Sequence, residues 1–239
     1  MTTQLAALLA VVVAGLAGAL APRVVAALPE PEHDESLEDE DPKPLYADLA
    51  ARPGRAMLLG GASALAAALV VLAVGPDPWL VGLVPLVPVG VVLAWVDWHT
   101  RLLPSRIVLP ATAYALAVAL VLWPLTGSAD DLVRGLVGLV VLRSLYWLMW
   151  RIHSAGMGFG DVRLAALVGL ALGHVGVAEL LVGGYAGFLI FGLPGLVLAV
   201  VKWDRTLLKT PFPFGPFMLI GALLGLLVGP WVLLRLVGA

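Results

Sequence analysis

Eight mostly apolar runs, seven of them of about 20 residues and the sixth shorter, follow one another along the chain, separated by segments that carry most of its charge. A helix of that length rises about 30 Å, the thickness of a bilayer's hydrocarbon layer. The series therefore predicts an all-α fold, a polytopic membrane helix bundle of about eight transmembrane helices. The runs cover approximately residues 4–28, 56–74, 79–96, 107–125, 132–150, 162–172, 177–201 and 217–237. With 61% hydrophobic and 13% charged residues, the chain is excluded from the soluble class, in which about 25% of residues are charged.

The first run carries Ala19-Leu20-Ala21, which has the form of a signal-peptidase site. Against removal stand the absence of Lys and Arg from Met1 to Gln4, the length of the run, and Pro22 at what would be the first mature position. It is read as a retained helix. Nine of the sixteen acidic residues lie between Glu30 and Asp48, in a segment that reads as a solvated loop, mobile over Glu38 to Asp41. Residues 1–55 thus form a first membrane helix with a short acidic cytoplasmic loop, and 56–239 form the membrane-embedded domain. The chain has no cysteine and only four scattered histidines, so neither a metal site nor a cofactor is expected. No basic patch suggests nucleic acid; the bilayer itself is the expected surrounding.

Loop charges set the orientation. Arg23, Lys43, Arg52 and Arg55 follow the first run, Arg101 and Arg106 the third, Arg151 and Arg163 the fifth, and Lys202, Arg205 and Lys209 the seventh, together eleven of the fourteen Lys and Arg residues. By the positive-inside rule these alternate loops are cytoplasmic and both termini lie outside. At the end of the fifth run, just before Arg151, Tyr146, Trp147 and Trp150 suit an interfacial belt. His99 reads as an interfacial anchor, and Arg143, deeper in its run, calls for a partner such as Glu179.

Two carboxylates fall at that same cytoplasmic boundary. Asp97 closes the third run. Asp161 opens the sixth, after Gly156-Met157-Gly158-Phe159-Gly160. An acidic residue at a membrane boundary is costly and marks a functional site by default, although Asp161 could also be a helix N-cap in a glycine-rich loop. Gly156, Gly158 and Gly160 allow a sharp turn and close approach of another helix. Two such carboxylates held together cannot both ionise cheaply; they would share a proton near neutral pH and titrate as a unit. Aspartyl proteolysis needs this arrangement, one carboxyl group taking a proton from water while its partner protonates the scissile carbonyl.

Asp97 with Thr100-Arg101-Leu102-Leu103-Pro104, and Gly158-Phe159-Gly160-Asp161-Val162 leading into an apolar helix, resemble the two signatures of the type IV prepilin peptidases, the GxGD membrane aspartyl proteases. Pro213-Phe214-Gly215-Pro216-Phe217 is similar to the family's last proline-glycine turn. The resemblance implies catalysis by Asp97 and Asp161, backbone support from Gly156, Gly158, Gly160 and Pro104, and prepilin or pseudopilin substrates cut after a glycine at the cytoplasmic membrane face. Arg101 and Arg163 are candidates for substrate binding or carboxylate tuning, although anchoring to the cytoplasmic face explains them too. Ser105 stands where family members commonly carry Asp or Asn. The long enzymes' paired CxxC motifs, associated with zinc and N-methylation, have no counterpart here, so methyltransferase activity is not part of the expectation. Two other readings of the aspartates are a presenilin-like intramembrane protease and a transporter or ion pathway. The first lacks its PAL motif, and the second lacks an inverted repeat of broken helices. Oligomeric state is left open.

Overall fold

The computed structural model describes residues 2–30, 44–152, 157–201 and 213–238. Among them every regular element is a helix: α1 (Thr2–Ala26), α2 (Tyr46–Ala51), α3 (Arg55–Val74), α4 (Leu80–Thr100), α5 (Ser105–Thr126), α6 (Ala129–Ile152), α7 (Phe159–Val175), α8 (Val177–Val201) and α9 (Gly215–Val237). Leu8, Leu16, Leu65, Leu72 and Val81 all face outward, as they must where lipid replaces water. The chain is a polytopic helical membrane bundle.

Six of these helices, α1, α3, α4, α5, α6 and α9, are long and apolar enough to cross a membrane. The sequence predicts eight. Of the other two, α7 has 17 residues, and the described apolar part of α8 is the shorter stretch Val177–Ile190. The shortness of α7 has a structural reason. It packs against α5, α6, α8 and α9, and its residues from Asp161 to His174 are buried apart from Arg163 and Ala171. A helix enclosed by other helices need not match the bilayer's thickness.

Small residues permit that enclosure. Gly138 of α6 and Gly169 of α7 meet backbone to backbone: a Cβ on Gly169 would lie 2.2 Å from the Gly138 carbonyl oxygen. In the same way α8 and α9 close at Gly183, Gly221 and Gly225, where a Cβ on Gly225 would lie 2.6 Å from Gly183 Cα. Lipid is as apolar as leucine, so such close packing supplies association energy that hydrophobicity alone cannot.

Several local expectations are corrected. Residues 46–51, expected within a loop, form α2: Tyr46 and Leu49 are buried among Val25, Leu59 and Trp95. The Glu30 carboxylate accepts hydrogen bonds from the Tyr46 and Ala47 amides at 2.7 and 2.9 Å, satisfying donors that a helix start leaves free. Tyr146 is not part of an interfacial belt, being fully buried, whereas Trp147 is exposed. Arg143 is exposed and forms no ion pair with Glu179; the ion pair among the described residues is Asp131 with Arg134. The predicted mobile stretch Glu38 to Asp41, Gly156 and the basic loop from Lys202 lie outside the described residues.

Candidate active site

Each candidate carboxylate comes from a helix end. α4 continues through Thr100, so Asp97 sits in its last turn, where the sequence predicts the helix to have ended. The turn stops at Arg101, whose φ of 55° is left-handed and whose amide still donates to the Asp97 carbonyl. Thr100 donates from Oγ1 to the Val96 carbonyl at 2.8 Å and accepts from the Leu102 amide at 3.2 Å, fixing the exit of the chain. Pro104, extended at φ −62°, caps the start of α5. Asp161 occupies the first turn of α7, three residues after the N-cap Gly158, and its amide donates to the Gly158 carbonyl at 3.1 Å. It is therefore not the helix cap, and its side chain is left for other work.

The two signatures pack against each other. A Cβ on Gly160 would lie 2.8 Å from Leu103 Cβ, so this glycine allows the turn before α7 to touch the turn after α4. Gly158 has φ −71° and ψ 147°, backbone that any residue adopts; its expected turn-making role is not visible in its dihedral angles. A second link is polar: Arg163 donates from Nη1 to Ser105 Oγ, with its guanidinium 4.9 Å from the centre of the Phe159 ring. Arg163 thus ties α7 to α5. Arg101 is exposed. His99 donates from Nδ1 to the carbonyl of Trp95 on its own helix at 2.8 Å.

A third segment completes the site. The amide of Gly215, at the start of α9, donates to Asp97 Oδ2 at 2.9 Å across 118 residues of sequence. A Cβ at this position would lie 2.8 Å from the same oxygen, so the contact requires glycine. The sequence marks the Pro213–Phe217 turn by resemblance but gives Gly215 no role, because nothing local ties it to Asp97. Gly215→Ala is expected to displace the Asp97 carboxylate and lower substrate turnover by up to about a hundredfold, the scale of a 1 Å misplacement. Turnover at the wild-type rate, with matched protein levels in the membrane, would contradict this role.

Both carboxylates are buried, Asp97 to 4% and Asp161 to 7% exposure, and they lie within electrostatic range of each other. Among the described residues Asp161 Oδ1 is buried with no hydrogen-bond partner, and so is the hydroxyl of Tyr146, which lies within electrostatic range of Asp161. The aspartates' end of the bundle therefore holds two buried carboxyl groups, one steadied by a backbone amide and one with an oxygen that has no partner among the described residues. Such a pair can take up and release protons next to a polar substrate group. Among the described residues no cluster of three or more His, Cys, Asp or Glu side chains could hold a metal ion.

The profile of the Type IV leader peptidase family matches residues 85–238. Relatives include proteins named prepilin leader peptidase/N-methyltransferase from Stutzerimonas stutzeri, 32% identical over 156 residues, 63% of this chain and 51% of the relative; from Escherichia coli K12, 33% over 147 residues, 59% and 60%; and from Pseudomonas aeruginosa, 31% over 156 residues, 63% and 51%. The chain spans about half the length of the curated relatives it matches. No solved structure matches it. Because the matched stretch runs from within α4 to the end of α9, it includes Asp97, Asp161 and Gly215 alike, and the chain belongs to the type IV leader peptidase family.

Proposed function

We propose that this protein is a membrane aspartyl endopeptidase that removes the short basic leader of prepilin-like substrates, type IV prepilins or pseudopilins, after a glycine. The observation carrying this reading is the convergence of Asp97 and Asp161, 64 positions apart in the sequence, as two buried carboxyl groups at one end of the bundle. Residues 56–239 supply the peptidase domain, with residues 1–55 as a first helix and acidic loop. The relatives' names suggest the substrate class. The methyltransferase half of those names is not carried over.

In this mechanism one aspartate, ionised, removes a proton from water as the water oxygen bonds to the scissile carbonyl carbon. The other, protonated, gives its proton to the carbonyl oxygen. The tetrahedral intermediate collapses as the carbon–nitrogen bond breaks, the leaving amine takes a proton from the first aspartate, and the second recovers its own from the gem-diol. Both carboxyls return to their starting states. Gly215 holds Asp97 from the backbone, where the donor cannot rotate away.

The loop charges support a cytoplasmic site with both termini outside. Two observations test the reading together. Membranes containing the wild-type protein and a prepilin-like substrate should yield a shortened product whose sequenced N-terminus follows the leader's glycine. Because the chain has no native cysteine, single Ala51→Cys and Ala129→Cys variants report sidedness; an impermeant maleimide should label only Ala129→Cys in intact cells. An uncut substrate would remove the peptidase reading, and labelling of Ala51→Cys from outside would reverse the orientation.

A further inference from the structure

Tyr146 carries a buried hydroxyl, and Asp161 a buried carboxylate oxygen, with no hydrogen-bond partner among the described residues. Its ring is fully buried, with its centre 5.0 Å from that of Phe188 on α8 and 5.8 Å from that of Phe214. Phe214 precedes Gly215, whose amide holds Asp97. The ring is thus packed into the framework of one aspartate while its hydroxyl lies within electrostatic range of the other, Asp161. Among the described residues neither the hydroxyl nor Asp161 Oδ1 has a hydrogen-bond partner, and both atoms are buried.

Buried polar atoms without partners are destabilising, and phenylalanine would fill the same space without that cost. A hydroxyl kept in such a place is explained if it is used in a state other than the resting one. We infer that Tyr146 is a positioning residue for Asp161: on substrate binding its O–H donates to Asp161 Oδ1 and fixes which carboxylate oxygen faces Asp97 and the attacked carbonyl. Phe188 and Phe214 set the ring plane, so the hydroxyl approaches along one direction. The sequence places Tyr146 with interfacial aromatics and gives no hint of this role.

The inference rests on the peptidase reading, and the test separates the two. Purified wild type, Tyr146→Phe, Phe188→Leu and Asp161→Asn are compared for kcat and KM on a prepilin-like substrate and for melting temperature in detergent. Tyr146→Phe should lower kcat by about tenfold to a hundredfold, the scale of lost positioning, with KM unchanged and the melting temperature equal or higher. Phe188→Leu, which disturbs the packing and keeps the hydroxyl, should lower the melting temperature and, at temperatures where it is folded, lower kcat less than Tyr146→Phe does. Wild-type kcat in Tyr146→Phe, with Asp161→Asn inactive, would overturn this inference and leave the peptidase reading intact. A lowered melting temperature in Tyr146→Phe would also overturn it, by showing a structural partner for the hydroxyl. Continued cleavage by Asp161→Asn would instead remove the peptidase reading itself.

Discussion

Asp97→Asn and Asp161→Asn should each lower prepilin cleavage by roughly a thousandfold or more, since each removes one half of a general acid–base exchange whose contributions run from about 10² to 10⁴. Asparagine matches aspartate in size and can still accept from the Gly215 amide at position 97. The folded protein should therefore accumulate in the membrane at wild-type levels. Burial makes the substitution easier on the fold, because a neutral amide costs less to enclose than a carboxylate. Equal losses on the two sides are expected, as neither half of the exchange proceeds alone. Cleavage in membranes with matched protein levels, followed by the substrate's mobility shift, gives the measurement.

The second large effect is structural. Gly169→Leu would place a Cβ 2.2 Å from the Gly138 carbonyl oxygen, where α6 and α7 touch through their backbones. The clash is with backbone on both sides, so no rotamer change relieves it and the helices must separate. Overpacking of well-packed sites costs about 1–3 kcal/mol and occasionally more; this site belongs at the upper end. The melting temperature in detergent should fall, and cleavage with it, because α7 carries Asp161 and α6 carries Tyr146. An unchanged melting temperature would show that the contact does not hold the pair together.

Helices were legible in the sequence because hydropathy reports length well: the expected run 56–74 corresponds to α3 at Arg55–Val74, and 107–125 to α5 at Ser105–Thr126. Which side of a helix meets protein was not legible. Lipid and protein interior are equally apolar, so Leu164, fully buried, and Leu72, 77% exposed, look alike in a sequence. The same ambiguity put Tyr146 at the membrane surface and suggested Glu179 as a partner for Arg143. Contacts set by tertiary structure were also hidden. α2 depends on Glu30 from an earlier segment, and Gly215 reaches Asp97 only after four further helices, α5 to α8, have been placed.

The candidate site was more legible than the fold around it, because its residues carry costs that apolar residues do not. A carboxylate at a membrane boundary stands out in an apolar chain, and two at the same boundary suggest a shared task. What the aspartates contact did not follow from that signal. The link between Ser105 and Arg163 shows the limit well: Ser105 appears in the sequence as a departure from the family pattern, while in the fold it joins the two signature segments.

The central claim is that Asp97 and Asp161 act as one catalytic unit on a prepilin-like substrate. Its most direct test is a single assay of wild type, Asp97→Asn, Asp161→Asn and the double variant on the same substrate, with the wild-type product sequenced at its N-terminus. Groups that act as a unit are strongly non-additive, so the double variant should be no slower than either single one, and all three should be inactive beside a wild type that cuts after the glycine. Cleavage near the wild-type rate by either single variant, or losses that multiply in the double variant, would contradict the account.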